Sequence, residues 1–301
     1  MKEEQLLNKT LNLINDDDSL VAYNYLVSNL DLLEEKSSQV YNFLYCLAAI
    51  SDKKDEAIDW LREAIDTKGF WYRPEVFEDE DLDSIREKEE FKKYVKKSKD
   101  KFLEAKSKAK TVFTWKSKEK DNIIIVLHGN QQNNEISKNY WSDLKASNYQ
   151  LEYIQSNEVD SYQLYRWEDQ GNGIIQLINS LASIDYEKYK DKVLSGFSSG
   201  CNTILRTLSE TNIVCDRVVL ISPWIPYIKN DLERLINNLI KKEVEVLILC
   251  GKKDKDCYPL CRLFENKADK LGLKIKRFYI DDLDHQYPSN FLEIISKFLN
   301  D

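Results

Sequence analysis

The feature of this sequence with the clearest chemical reading is a serine with a glycine two residues before and two residues after it, in the run GFSSG at 196–200. The run closes an apolar stretch, KVLSGF, and leads into CNTILRTLSE, which has a helical pattern, so Ser198 falls where a strand turns sharply into a helix. A turn that tight presses the chain against itself, and Gly196 and Gly200 remove side chains that would clash there. Ser198 Oγ is then a candidate nucleophile. A serine hydroxyl attacks poorly at neutral pH unless an imidazole takes its proton and later returns it to the leaving group. Two histidines are available: His128 in LHGN, after NIIIVL, and His285 in DLDHQYP near the C-terminus. The imidazole in turn needs a carboxylate to fix its tautomer, and GKKDKDCYP (251–259), after VEVLIL, offers Asp254 and Asp256. Asp254, three residues past Gly251 at the strand top, is preferred, with Asp256 as the alternative. Asp282 and Asp284 are weaker choices because neighbours in sequence tend to point apart.

Such residues need strands to carry them. From residue 109 onward, runs rich in Val, Ile and Tyr alternate with helical stretches, the pattern of βα units and a mostly parallel sheet. The expected strands are TVFTW, NIIIVL (122–127), QLEYI (150–154), KVLSGF (192–197), RVVLIS (217–222), VEVLIL (244–249) and KIKRFYI (274–280). Several are apolar at consecutive positions, as burial on both faces of a sheet requires. Up to residue 108 the spacing is helical throughout, with Gly69 and Pro74 as breakers. YNFLYCLAAIS and DEAIDWLREAI form a helical hairpin, and Phe91, Tyr94, Val95 and Phe102 make a buried stripe under a solvated lysine face in the basic run 92–101. The expected domains are therefore 1–108, all-α, and 109–301, α/β, with a boundary near KSKAK.

With these residues located, 109–301 resembles the α/β-hydrolase superfamily, in particular its phospholipase/carboxylesterase branch, related to acyl-protein thioesterases and dienelactone hydrolases. The resemblance rests on LHGN, GFSSG, GKKD and DHQYP, and on YIQSNEVDSYQLYRWEDQ (153–170), similar to the "PQS...W.D" segment of that branch. It implies an α/β-hydrolase fold whose chain order of nucleophile, acid and histidine selects His285 over His128. It also implies an oxyanion hole from the backbone N–H groups of Ser199 and Asn130, with His128 as an orienting residue. By the same resemblance Trp167 lines or supports the mouth of the site, and Trp224, in SPWIP (222–226), lies near the acyl pocket. Departures exist: the usual glycine-rich oxyanion loop is here the polar NQQNN, and a serine stands where dienelactone hydrolases carry cysteine. The hairpin together with GFWYRPEVFEDEDLDSIREKEEF resembles the last unit of a tetratricopeptide-like array, which would offer a concave face to a peptide partner or pack as a cap.

Composition narrows the function. The net charge is −8, and residues 1–108 hold 18 Lys and Arg against 25 Asp and Glu, a balance of −7, which argues against a nucleic-acid partner. No apolar run reaches the length of a membrane span, and MKEEQLLNKT lacks the pattern of a signal peptide, so a cytoplasmic location is expected. The six cysteines show no disulfide framework. Cys257 and Cys261 look like half of a zinc site, but neither histidine lies near them in sequence, so a protein without metal or cofactor is expected. The reading is a serine hydrolase, a carboxylesterase or thioesterase, forming an acyl-enzyme on Ser198 with a small-molecule acyl ester or thioester. Two rivals are an interaction protein, whose helical segment binds a partner or a second copy while the hydrolase half is silent, and a serine peptidase on the same fold.

Overall fold

The computed structural model describes residues 3–15, 19–144, 148–226 and 228–300. It divides into two compact units, one of Met1–Ala109 with Val159–Leu164 and one of Lys110–Glu158 with Tyr165–Asp301. The boundary expected from sequence is near 108. It does not anticipate the six-residue stretch 159–164, which leaves the larger unit to pack in the smaller.

The smaller unit holds α1 (Glu3–Asn15), α2 (Ser19–Ser28), α3 (Ser38–Ile50), α4 (Lys54–Arg62) and α5 (Glu89–Lys108). Ser37 caps α3, its Oγ accepting from the N–H groups of Gln39 and Val40, which satisfies donors that the first helical turn leaves open. Helix α4 runs on through a π-turn at Glu63–Thr67, and Gly69, at a φ of +76°, then takes the left-handed conformation that ends it. Tyr41, Leu44, Tyr45 and Ala48 of α3 meet Ala57, Leu61 and Ala64 in one core, small residues letting the helices approach and aromatics filling the gaps. On α5, Phe91, Tyr94 and Phe102 are buried and Val95 is half-buried, below exposed lysines. Residues 159–161 lie along this unit: Tyr72 and Ser161 form an antiparallel bridge, and Arg73 Nε pairs with Asp160 at 2.9 Å.

The larger unit follows the βα alternation. From Lys110 onward the elements in chain order are β1 (Val112–Phe113), β2 (Asn122–Leu127), α6 (Asn134–Trp141), β3 (Tyr149–Gln155), β4 (Val159–Ser161), which falls in the smaller unit, β5 (Leu164–Tyr165), α7 (Gln170–Ala182), β6 (Lys192–Phe197), α8 (Ser199–Glu210), β7 (Arg217–Ile221), α9 (Ile228–Lys241), β8 (Glu245–Gly251), α10 (Cys257–Leu271), β9 (Ile275–Ile280) and α11 (Phe291–Asn300). A seven-stranded sheet runs β1-β3-β2-β6-β7-β8-β9, parallel except for β1, which pairs antiparallel with β3. The seven strands expected from sequence are these seven. The hairpin β4–β5, inside the segment read as YIQSNEVDSYQLYRWEDQ, was not among them.

Side chains alternate across this sheet as the pleat dictates. Ile123, Ile125 and Leu127 of β2, with Val246 and Ile248 of β8, face the core filled by Leu177, Leu205, Leu235 and Phe264 from α7 to α10. Ile124, Val126, Leu247 and Leu249 face the opposite core, closed by Trp141 of α6 and by Phe291, Ile295 and Phe298 of α11. Each fully buried Leu or Ile contributes roughly 1.5–3 kcal/mol, so two such layers hold the strand tops in fixed positions. This is the α/β-hydrolase fold. Among the described residues no helix is long and apolar enough to cross a membrane.

Candidate active site

The bend between β6 and α8 carries Ser198. Its φ of +50° and ψ of −118° lie in a region that costs a non-glycine residue about 1–3 kcal/mol, so the surroundings must hold it. They do so through backbone bonds, Ser198 N–H donating to Ile221 O at 2.9 Å and Ser198 O accepting from Cys201 N at 3.1 Å and Trp224 N at 3.2 Å. The glycines on either side have no substitute. A Cβ at Gly196 would lie 2.6 Å from Cys201 N, and one at Gly200 would lie 2.5 Å from His128 O. Ser198 itself is 9% exposed, at the surface threshold of an otherwise buried turn.

The loop after β2 lies directly against this bend, since a Cβ at Gly129 would stand 2.8 Å from Phe197 and 3.2 Å from Ser198 Cβ. Gln132 Oε1 accepts from Gly129 N–H at 3.0 Å, tightening the loop. The Asn130 side chain is consumed by structure: its Oδ1 accepts from Ser199 Oγ at 2.7 Å and from Trp167 N–H at 2.9 Å. The bend and the loop are thereby tied to each other. Ser199 opens α8, where backbone N–H groups have no partner within the helix.

His128 is fully buried, with Nδ1 2.6 Å from Gly129 O and Nε2 accepting from Ser156 N–H at 3.1 Å. An Nδ1–H tautomer satisfies both bonds, and burial pushes its pKa down to about 4, so the ring is neutral. Trp167 packs on it with ring centroids 5.2 Å apart and is itself fully buried. Its ring thus packs against His128 with no exposed surface. Trp224 is half-buried, next to the bend through the bond to Ser198 O.

Across the sheet tops, Gly251 ends β8 under the loop that follows β9. A Cβ there would meet Leu283 O at 2.1 Å, and Lys253 N–H donates to the same carbonyl at 3.0 Å. This close approach sets His285 over Asp254, with Nδ1 and Oδ2 2.7 Å apart. The other oxygen, Oδ1, accepts from Cys257 N–H at 2.9 Å. Burial acts to raise the Asp254 pKa, and the bonds from His285 and from Cys257 N–H outweigh it, holding the carboxyl below its ordinary value. Asp256 is exposed, Asp282 pairs with Lys253 at 3.1 Å, and Asp284 accepts from the His285 backbone N–H. Of the four acidic candidates, only Asp254 is bonded to the imidazole.

The sequence reading passed over several neighbours. Phe197 lies 5.0 Å from the His285 ring and stacks on Tyr287 at 4.7 Å, which stacks on Tyr140 at 4.0 Å, so an aromatic column walls the histidine. Cys257 was set aside for want of a nearby histidine, yet its Sγ lies 3.6 Å from His285 Nδ1. Burial pushes this thiol well up from its ordinary pKa. No motif could have revealed either arrangement, because both join residues distant in the chain.

Residues 2–106 match the family model described as A/B hydrolase-like, N-terminal domain. Among solved structures, an uncharacterized protein from Bacillus cereus ATCC 10987 is similar at 29% identity over 100% of this chain and 98% of its own, with a TM-score of 0.57. A Bacillus cereus carboxylesterase is similar at 16% identity over 66% of this chain and 97% of its own (TM-score 0.48), and Zea mays acyl-protein thioesterase 2 at 16% over 64% and 98% (TM-score 0.46). No curated protein matches.

Proposed function

We propose that the protein is a serine-dependent carboxylic ester or thioester hydrolase that forms an acyl-enzyme on Ser198. The observation that carries this reading is the Asp254–His285 pair at 2.7 Å, whose imidazole packs on Phe197, the residue that precedes a serine held at a φ of +50°. In the first step His285 Nε2, the ring nitrogen that Asp254 does not engage, takes the Ser198 hydroxyl proton as Oγ attacks the acyl carbon. The resulting imidazolium gives that proton to the leaving alcohol or thiol. Water then repeats the sequence and releases the acid. Asp254, acceptor-only and held by Cys257 N–H, keeps the proton on Nδ1 and offsets the positive charge as it forms.

The tetrahedral oxyanion would be met by the backbone N–H groups of Asn130 and Ser199, the second at the positive end of the 12-residue helix α8. The bonds from Ser199 Oγ and Trp167 N–H to Asn130 Oδ1 hold both donors in register before substrate arrives. No reorganisation is then needed at the moment of reaction. Trp224, half-buried beside the bend, would contact the acyl group.

The test is labelling with a fluorophosphonate together with hydrolysis of a short-chain p-nitrophenyl ester and a matched thioester. Ser198→Ala is expected to abolish all three. Labelling that persists in that variant moves the nucleophile elsewhere, and turnover of peptide amides at rates like those of esters favours the peptidase. A second reading, docking of another copy of this chain through the helical unit, is favoured by Leu11, Leu20 and Leu32, exposed by 43%, 45% and 53%. Sedimentation of the full chain as a monomer at all concentrations tested removes it.

A further inference from the structure

Three groups that bind metals stand together at the acid–base pair: Asp254, Cys257 and His285, each offering one ligand atom, with all three atoms within 4.8 Å of one another. Two belong to the proposed catalytic machinery, whereas the Cys257 thiol has no part in it. We propose that this triplet is a binding site for a thiophilic divalent cation of the zinc class, held by Asp254 Oδ2, Cys257 Sγ and His285 Nδ1, and that its occupation switches the catalytic base off. The switching half of the proposal rests on the function proposed above; the binding half does not.

The distances suit the ion. Zinc bonds of about 2.0–2.1 Å to nitrogen, 2.3 Å to sulfur and 2.0–2.2 Å to oxygen, in a tetrahedron, set ligand atoms roughly 3.3–3.6 Å apart. Cys257 Sγ and His285 Nδ1 are already 3.6 Å apart. Nδ1 and Asp254 Oδ2, at 2.7 Å, would separate by roughly 0.6 Å as the ion replaces the hydrogen between them. His285 can yield this distance, since its side chain is 38% exposed and its loop borders solvent. Asp254 need not move, because Oδ1 is anchored by Cys257 N–H at 2.9 Å and Oδ2, which exchanges its hydrogen bond with Nδ1 for the ion, is the ligand. The fourth position falls to water. One thiolate, one imidazole and one carboxylate select zinc, cobalt or cadmium over magnesium and calcium, which prefer several oxygens.

Binding has a definite proton balance. The Cys257 S–H proton leaves to solvent and the sulfur becomes a thiolate ligand. Nδ1 gives its lone pair to the metal, so the single N–H of the neutral ring moves to Nε2. One proton is released per ion. An Nε2 that carries hydrogen cannot accept the proton of Ser198, and the nucleophile is left inactive.

The experiment uses the full chain, stripped with chelator and titrated with Co²⁺ without oxygen, in the wild type and in Cys257→Ser, His285→Ala and Cys261→Ser. The wild type is expected to bind about one ion and to develop a near-ultraviolet thiolate-to-cobalt band that Zn²⁺ displaces. Cys257→Ser and His285→Ala are expected to lose the band and Cys261→Ser to keep it. A wild type without the band, or a band that survives both ligand substitutions, overturns the site. His285→Ala, at a partly exposed position, guards against misreading a Cys257 variant that folds poorly. On the activity side, Zn²⁺ is expected to inhibit ester hydrolysis roughly tenfold or more, reversibly with chelator, while Mg²⁺ does not. The ratio of activities with and without Zn²⁺ in Cys257→Ser is expected to approach unity, whatever that variant's activity alone. Equal zinc sensitivity in wild type and Cys257→Ser overturns the switch. A cobalt band in a protein that hydrolyses no ester sinks the proposed function and leaves the site standing.

Discussion

Two histidines follow strands at the top of the same sheet, one after β2 and one after β9, and the fold sets them in opposite surroundings. Both nitrogens of His128 are spent on backbone groups, Gly129 O and Ser156 N–H, in a fully buried pocket against Trp167. His285 spends one nitrogen on a buried carboxylate and keeps the other, with its side chain 38% exposed. The lesson is that residue type sets what chemistry is available and the number of uncommitted atoms sets what chemistry is done. An imidazole fully engaged by the main chain is a strut that shapes the Gly129–Asn130 loop. An imidazole oriented from one side only can exchange a proton.

The contrast can be broken at several points. His285→Ala is expected to lower kcat for ester hydrolysis by about 10⁶, as loss of a catalytic base does, and a drop of less than about tenfold would mean another group takes the proton. Asp254→Asn keeps the shape and reverses the tautomer preference, so kcat is expected to fall about 10⁴-fold with little change in KM. Asp256→Asn, at an exposed position, then separates the two acids: its activity is expected to stay within about twofold of wild type, because surface substitutions away from such features have small effects.

His128 is sharpened by stability rather than rate. Its pKa is depressed in the fold from 6.5 to about 4, so below pH 6.5 the unfolded chain takes up a proton that the folded chain refuses. Stability is therefore full above pH 6.5 and falls on acidification towards pH 4, by up to about 1.4 kcal/mol per pH unit and about 3 kcal/mol across the window. Urea unfolding of wild type and His128→Asn across that range is expected to show the wild-type curve falling more steeply by that amount. Parallel curves would mean His128 titrates alike in both states. Smaller than the His128 effect, Trp167→Phe is expected to cost about 1–2 kcal/mol of stability while leaving KM for a short ester nearly unchanged, since the ring is fully buried. A large rise in KM would put Trp167 back in the mouth.

Much of this was legible in one dimension. The inner strands of the sheet were readable because burial on both faces demands continuous apolar runs, as in NIIIVL and VEVLIL, whereas the edge strand β9 alternates between half-buried and exposed positions along most of its length. The Ser198 bend was readable because a strand entering a helix that tightly tolerates only glycine at 196 and 200. Helices α3 and α4 were readable from their period. The excursion at 159–164 was not, since DSYQ is too short and polar to carry a period and its pairing with Tyr72 is a contact across the chain. Nor was the full burial of Trp167 against His128 legible.

The sequence by itself determined the alternation of strands and helices, the turn that carries Ser198 and the small set of groups able to act as base and acid, because these depend on local period, glycine sterics and residue chemistry. Only the tertiary structure shows that Asp254 and not Asp256 is bonded to the His285 ring, that both nitrogens of His128 are bonded to the main chain, and that Cys257 lies beside His285. Those contacts turn on distances of a few ångströms between residues some 30 positions apart. Hydrogen bonds and metal bonds fall off within that length, and no spacing along the chain encodes it.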